Sequence, residues 1–288
     1  MVMAVQGRGR VRVTRSQTPC QNEPMSTTTS SFQSNADGTQ VTTYTWAQTP
    51  GQPVGVVQLS HGLAEHGERY DRFARALNAA GFIVHAVDHR GHGRTAGGKL
   101  GDFGSAGFSG LIADVAQFGA LLREQHAGLP LFLFGHSMGS FAAQAAILDH
   151  SSTWSGVILS GSTALDLFAA AMANAPADAP AGLAAFNAGF EHRTGYEWLS
   201  RDAAEVDAYV ADSWCGWDVP PYVIPSLFAP AGRPRAAGAY PQRPAHPHRV
   251  RRRGPAGRRR GVGSATGAVV SGCGSGRCDG QAVPGDAA

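Results

Sequence analysis

The stretch from Leu131 to Gly139, LFLFGHSMG, constrains this chain more than any other. A short apolar run ends in Gly135-His136-Ser137-Met138-Gly139, and a helix-like segment, SFAAQAAILDH, follows at once. A G-x-S-x-G pattern between strand and helix is the sequence form of a sharp elbow that lifts a serine hydroxyl above the end of a sheet. Gly135 and Gly139 are required because side chains there would strike the neighbouring strand and helix. Such a serine is suited to acyl transfer through a covalent ester, so Ser137 is the candidate nucleophile. His136, inside the elbow, reads as a packed neighbour rather than a base.

The surrounding pattern gives the fold class. VTTYTWAQT at 41–49 alternates and is β-branched, which predicts an edge strand. VGVVQLS at 54–60, FIVHAV at 82–87, LFLF at 131–134 and GVILSG at 156–161 are buried-strand runs. Between them, 71–81 and 108–126 carry apolar residues at helical spacing. Strands alternating with helices predict an α/β fold with a doubly wound, mainly parallel sheet. That core is expected over 41–165. Residues 166–228 are Ala-rich and then aromatic (Phe186, Phe190, Tyr196, Trp198, Tyr209, Trp214, Trp217), which reads as a helical cap. Aromatics so spaced suit plain core or the lining of a cavity for an apolar chain.

The two ends differ from this body. The net charge of +3 divides into +3 for residues 1–24, about −9 for 25–230 and +9 for 231–288. Residues 1–40 are expected to be a disordered extension, with the Ser/Thr-rich 25–40 mobile and Met25 resembling a natural start. The first 24 residues carry four arginines and no apolar core, so they do not read as a secretory signal. No apolar run approaches the roughly 18 residues of a membrane span. Cys20, Cys215, Cys273 and Cys278 show no framework spacing; a Cys273–Cys278 pair is the weaker reading and a reducing cytoplasm the better one.

Four stretches, in this order, resemble the monoacylglycerol lipase and lysophospholipase group of α/β-hydrolase serine esterases. They are HGLAEHGERY (61–70), DHRGHGRT (88–95), GHSMG (135–139) and a cap pattern from Phe186 to Gly216. The resemblance covers 54–228, roughly the first two-thirds of a catalytic domain. It implies attack by Ser137 on an ester carbonyl and an oxyanion hole made by the backbone N–H groups of Leu63 and Met138. It implies a small-molecule lipid ester as substrate, with no metal and no cofactor. His61 and Gly62 are expected to shape the oxyanion loop, against a minor reading of His61 and His66 as metal ligands. Asp88, His89, Arg90 and His92 read as a loop-bracing polar network, and Asp114 as structural.

The rest of the catalytic machinery is not found in its usual form. In this group the acid follows a late strand in a pattern like SGDxDP, and the histidine sits in one like YPGxRHE. Neither appears here, so the triad acid and histidine are unknown. His246 and His248 come late enough in the chain but lie in an arginine-rich stretch with no strand to place them. From about Pro230 periodicity collapses, and 229–288 reads as a disordered basic tail. Back-translated with suitable synonymous codons and read one base later, residues 245–257 (AHPHRVRRRGPAG) give RILIVSGDGDPL. Residues 279–288 (DGQAVPGDAA) give MVRLYPGTR and then CA, the first two bases of a histidine codon. The expectation is a frameshift after about Phe228, with the acid encoded across Gly254 and the histidine codon beginning within that of Ala288.

Two rival classes stay open. One is another α/β-hydrolase chemistry, such as an aminopeptidase or a perhydrolase-like enzyme. The other is a non-catalytic basic protein whose seven arginines within 249–260 bind nucleic acid or an anionic membrane. No aromatic residues are interleaved there, so nucleic acid is not the expected partner. Oligomeric state is not legible.

Overall fold

The structure, a computed structural model, describes residues 27–174, 182–187 and 189–232. Cys20, Cys273, Cys278, His246, His248, the arginine-rich stretch and the positions of the shifted-frame motifs lie outside the described residues.

Six strands form one mixed sheet in the order β1-β2-β4-β3-β5-β6. They are β1 (Thr28–Gln33), β2 (Gln40–Trp46), β3 (Gly55–Ser60), β4 (Phe82–Val87), β5 (Leu131–His136) and β6 (Gly156–Ser160). The β4–β3–β5–β6 portion is parallel, while β1–β2 and β2–β4 pair antiparallel. Parallel neighbours need crossovers, and α1 (Asp71–Ala79), α2 (Gly107–Gln125) and α3 (Met138–His150) supply the helices expected there. β3 at the centre is buried along its whole length, as a run covered on both faces must be.

Two expectations are corrected. Residues 28–33 are not a mobile extension but the edge strand β1, in register from Thr28↔Thr45 to Gln33↔Gln40. Consequently β2, expected at the edge, lies inside the sheet, and the ordered core starts before residue 41. The reason is physical: TTSSFQ is polar with two β-branched threonines, and an exposed edge strand needs little apolar content.

Each face of the sheet has its own core. One holds Val56, Leu111, Val115, Leu122, Leu133, Met138 and Ala142. The other is smaller, built on Tyr44, Trp46, Val57, Leu59, Val84 and Ala86. After β6 the described chain gives α4 (Leu165–Ala173), α5 (Ala203–Ala211) and α6 (Val223–Leu227). α6 sends Val223 and Leu227 into the larger core, so the last part of the span expected as a cap packs with the sheet and its helices.

The Asp88–His92 network braces loops, as expected. The Asp88 carboxylate accepts from the Tyr44 hydroxyl at 2.7 Å and from the N–H groups of Gly67 and Arg94 at 2.8 Å each. Arg90, 1% exposed, donates to Asp114 at 2.9 Å and Asp37 at 2.7 Å. The Arg90 guanidinium holds the Asp37 carboxyl well below its usual range. This set ties the β1–β2 turn to α2 and thereby fixes the N-terminal side of the sheet.

Candidate active site

The elbow is strained where the sequence places it. Ser137 sits at φ 49° and ψ −119°, one of two non-glycine residues with positive φ among the described residues. Its conformation is held on both sides. The Ser137 N–H donates to the Ser160 carbonyl of β6 at 2.9 Å. The Ser137 carbonyl accepts from the Ser140 hydroxyl at 2.6 Å and the Ser140 N–H at 2.8 Å. Strain of this kind persists only when the surroundings over-determine it. The glycines meet steric demands: a Cβ on Gly139 would lie 2.1 Å from the Ser60 carbonyl oxygen, and one on Gly135 would lie 2.7 Å from that of Gly139. The register Ser60↔Gly135 sets this approach, because β3 and β5 end side by side.

The loop leaving β3 comes against the elbow. A Cβ on Gly62 would stand 3.3 Å from the Ser137 Cβ and 3.4 Å from His136 Cδ2. The Gly62 N–H donates to Glu65 Oε1 at 2.6 Å, and the Tyr70 hydroxyl donates to the same oxygen at 2.7 Å. Leu63, Ser137 and Met138 share one cavity wall. No acceptor among the described residues takes the Leu63 or the Met138 N–H. Two donors beside a serine that are spent on no other group are what an oxyanion needs.

His61, His89 and His92 lie behind this loop, all fully buried. Their rings are close, with His61 and His89 centroids 4.3 Å apart. Burial pushes His61 and His92 down to about 3 and His89 well below its ordinary value, so all three stay neutral near pH 7. The His61 Nδ1 lies 2.7 Å from the Gly62 carbonyl, which can only accept, so the proton is on Nδ1. Nε2 is then free to accept the His89 N–H at 3.0 Å. These rings are braces, and His61 shapes the loop as expected. His136 Nδ1 meets the Ser160 hydroxyl at 3.2 Å, which fits a packed neighbour. Ser137 Oγ has no hydrogen-bond partner among the described residues, and no described acid or histidine is positioned to activate it.

His66 has a different setting. It pairs with Asp212 at 2.7 Å, and Cys215 brings a third donor atom within 4.8 Å of both. The Arg69 guanidinium stands 3.9 Å from the Cys215 sulfur, and burial pushes the thiol up to about 12. The Arg69 guanidinium already sets a cation against the sulfur, which disfavours a second cation there.

Two cavities open on either side of His136, which lines both. One, of about 620 Å³, is walled by Leu63, Met138, Phe141, Phe168, Trp198 and Phe228, with Ser137 in the wall. The other, of about 370 Å³, is lined by Glu65, Arg69, Tyr70, Arg72 and Glu205 with two phenylalanines. The aromatics of 186–217 therefore divide. Phe186 and Trp198 line the larger cavity, whereas Tyr209 is buried and Trp217 packs on His92 with ring centroids 5.1 Å apart.

Glu65, Tyr70, Tyr209 and Asp212 were missed as members of the site in the sequence. Their partners lie up to 146 residues away, and no periodicity encodes such a pairing.

Residues 51–230 match the family described as serine aminopeptidase, S33. The chain is 34% identical over 125 residues to a monoglyceride lipase of Homo sapiens, covering 43% of this chain and 40% of that one. It is 38% identical over 109 residues to a monoacylglycerol lipase of Mycolicibacterium smegmatis, covering 38% of each. Among solved structures it is similar to a thermostable carboxyl esterase from Bacillus coagulans, with a TM-score of 0.59, 30% identity and 72% of each chain covered. The chain spans about 40% of the length of the curated relatives it matches. No helix among the described residues is long and apolar enough to cross a membrane.

Proposed function

The chain belongs to the serine aminopeptidase, S33 family, and on that premise we propose that it is a serine hydrolase whose reaction is the cleavage of a monoacylglycerol or lysophospholipid ester. The observation that carries this reading is the pair of unlike cavities flanking His136, one apolar and one polar, with Ser137 in the wall of the first. An acyl chain fits the aromatic chamber and a hydroxyl-rich head group the smaller one, which leaves the ester carbonyl beside the serine. The relatives that are monoacylglycerol lipases, and the similarity to a carboxyl esterase, support the same substrate class.

In this mechanism Ser137 Oγ attacks the ester carbonyl, and the Leu63 and Met138 N–H groups hold the developing oxyanion. The alcohol leaves and water then cleaves the acyl-serine. Donors of this kind contribute roughly 3–4 kcal/mol each to lowering the barrier. Phe168, Leu183, Phe186, Trp198, Leu199 and Phe228 of the 166–228 span wall the acyl chamber. Ser137 also needs a base and an acid, and both are encoded in the shifted frame after about Phe228. The chain as written is then an impaired esterase, slower than intact relatives by on the order of three to six powers of ten.

A peptide substrate is the second reading, since the family's description is an aminopeptidase. The test is a panel of p-nitrophenyl esters of increasing chain length beside aminoacyl p-nitroanilides, each run with Ser137→Ala as the blank. Residual, Ser137-dependent release from the esters supports the proposal. Release from the anilides alone, or a rate on short esters equal to that of intact relatives, overturns it. Sequencing the gene across the codons for Leu227 to Ala288 tests the frameshift directly.

A further inference from the structure

Ala64, the residue after the proposed oxyanion donor Leu63, is the other non-glycine residue with positive φ, at 55°. Alanine does not hold that conformation unaided, because its Cβ crowds the backbone there. Both polar groups of Ala64 are engaged, and the partners of its carbonyl come from the far end of the described chain. Its N–H donates to His92 Nε2 at 3.2 Å. Its carbonyl accepts the Tyr209 hydroxyl at 2.7 Å and the Gly216 N–H at 3.1 Å.

Each partner is itself fixed. His92 Nδ1 faces the Arg90 carbonyl at 2.9 Å, so its proton is on Nδ1 and Nε2 is left as the acceptor. Tyr209, 2% exposed, has the Arg69 guanidinium over its ring at 4.8 Å and the Tyr196 ring at 5.1 Å. The Tyr196 hydroxyl donates to the Gly216 carbonyl at 2.7 Å, so Gly216 is held at both its N–H and its carbonyl. Gly216 has φ 63°, and a Cβ there would lie 3.0 Å from the Tyr196 hydroxyl oxygen and 3.1 Å from the Tyr209 ring. Only glycine lets this backbone reach Ala64.

Nothing in this constellation touches the cavity chemistry directly. It fixes the backbone of Ala64, the residue next to Leu63, in the peptide units on both its sides. We propose that Tyr209 is a positioning residue for the oxyanion loop: with the Gly216 N–H it holds the Ala64 carbonyl while His92 holds the Ala64 N–H, so that docking of the 196–216 segment sets the aim of the neighbouring Leu63 N–H. The inference rests on the serine-hydrolase reading and adds to it a coupling between the segment that walls the acyl chamber and the donor that stabilises the oxyanion. A segment that lifts away takes the oxyanion donor out of alignment with it.

The test uses Tyr209→Phe in the full chain, which keeps the ring and removes one hydroxyl. Two quantities are read. One is amide hydrogen exchange over residues 62–65. The other is the rate at which Ser137 takes up a fluorophosphonate probe, followed by intact mass over a range of probe concentrations. The clamp requires faster exchange over 62–65. It also requires a maximal labelling rate lowered by roughly ten- to a hundredfold at an unchanged half-saturating concentration, since an oxyanion donor is worth 10²–10³ in rate. A merely structural tyrosine would loosen 196–216 and leave 62–65 and the labelling rate as they were, which overturns the proposal. Faster exchange with unaltered labelling overturns the positioning role. Ala64→Gly relieves the backbone strain and provides a second background; there Tyr209→Phe must still slow labelling, because aim rather than fold is what is lost. If Ser137 takes no label even in the unsubstituted chain, as loss of its base and acid would produce, the exchange measurement alone decides whether the clamp exists, and unchanged exchange over 62–65 overturns it.

Discussion

The two edges of the sheet are built by different rules. β1 is polar and mostly exposed, and its neighbourhood is locked by Arg90 between Asp37 and Asp114. It has the features by which natural sheets make an edge harmless. β6, at the other end, pairs only with β5 among the described residues, yet it carries Ile158 at 48% and Leu159 at 41% exposure. An apolar strand is the signature of the inside of a sheet rather than its margin. The first edge reads as finished and the second as waiting for neighbours. That contrast agrees with the shifted-frame reading, in which 245–257 encode a further apolar strand ending in an acid motif. The described site holds a serine braced by β6 and a braced loop after β3, with no described acid or histidine placed to activate the serine.

Four measurements would sharpen or break this comparison. Acid should strike the finished half hardest. His61, His85 and His92 are pushed down to about 3 by burial. Between their unfolded value near 6.5 and that folded value, the unfolded chain binds protons that the folded one does not. Stability is therefore fully present above about pH 6.5 and falls as pH drops toward 3, by about 1.4 kcal/mol per pH unit for each histidine. Urea midpoints at pH 7 and pH 5 measure it, and equal midpoints would contradict the buried-neutral assignment.

Next in size is Arg90→Ala, which leaves the buried Asp114 with no cation and frees Asp37 on the exposed β1–β2 turn. A loss of about 3–5 kcal/mol is expected by urea unfolding. A loss under 1 kcal/mol would mean that the β1 edge is not secured by this network. Smaller is Ala64→Gly, which should raise stability by about 1 kcal/mol through relief of the positive φ; a drop of the same size would show that the strain is misplaced. Smallest in stability is Leu159→Lys on β6, expected to change unfolding free energy by under about 1 kcal/mol. It should nevertheless raise the monomer fraction in sedimentation, since charge blocks edge-to-edge pairing. No change in association would mean that the β6 edge is already covered.

What could be read in the sequence followed from local rules. The elbow, β3, β4, β5, β6 and helices α1 to α3 announce themselves through apolar runs, helical spacing and paired glycines. β1 escaped because TTSSFQ has the composition of a loop, and only its pairing with β2 makes it a strand. That one omission also misplaced β2 at the edge. In the site, Ser137 and the glycines around it were legible because an elbow has few other uses. Tyr209 was not, because its role depends on meeting Ala64, 145 positions earlier. The braces His61, His89 and His92 were visible as a cluster of polar residues, but only their burial shows that they are neutral.

The central claim is that Ser137 is an ester nucleophile whose partners are encoded in the shifted frame. It is tested most directly by two proteins made side by side, the chain as written and the product of a gene with one base added or removed after the codon for Phe228. Each is assayed on a short-chain p-nitrophenyl ester against its own Ser137→Ala variant. The account expects the frame-restored protein to be faster by at least about 10³-fold, with the gain lost in Ser137→Ala. Equal rates from the two proteins, or a gain that survives Ser137→Ala, would contradict it.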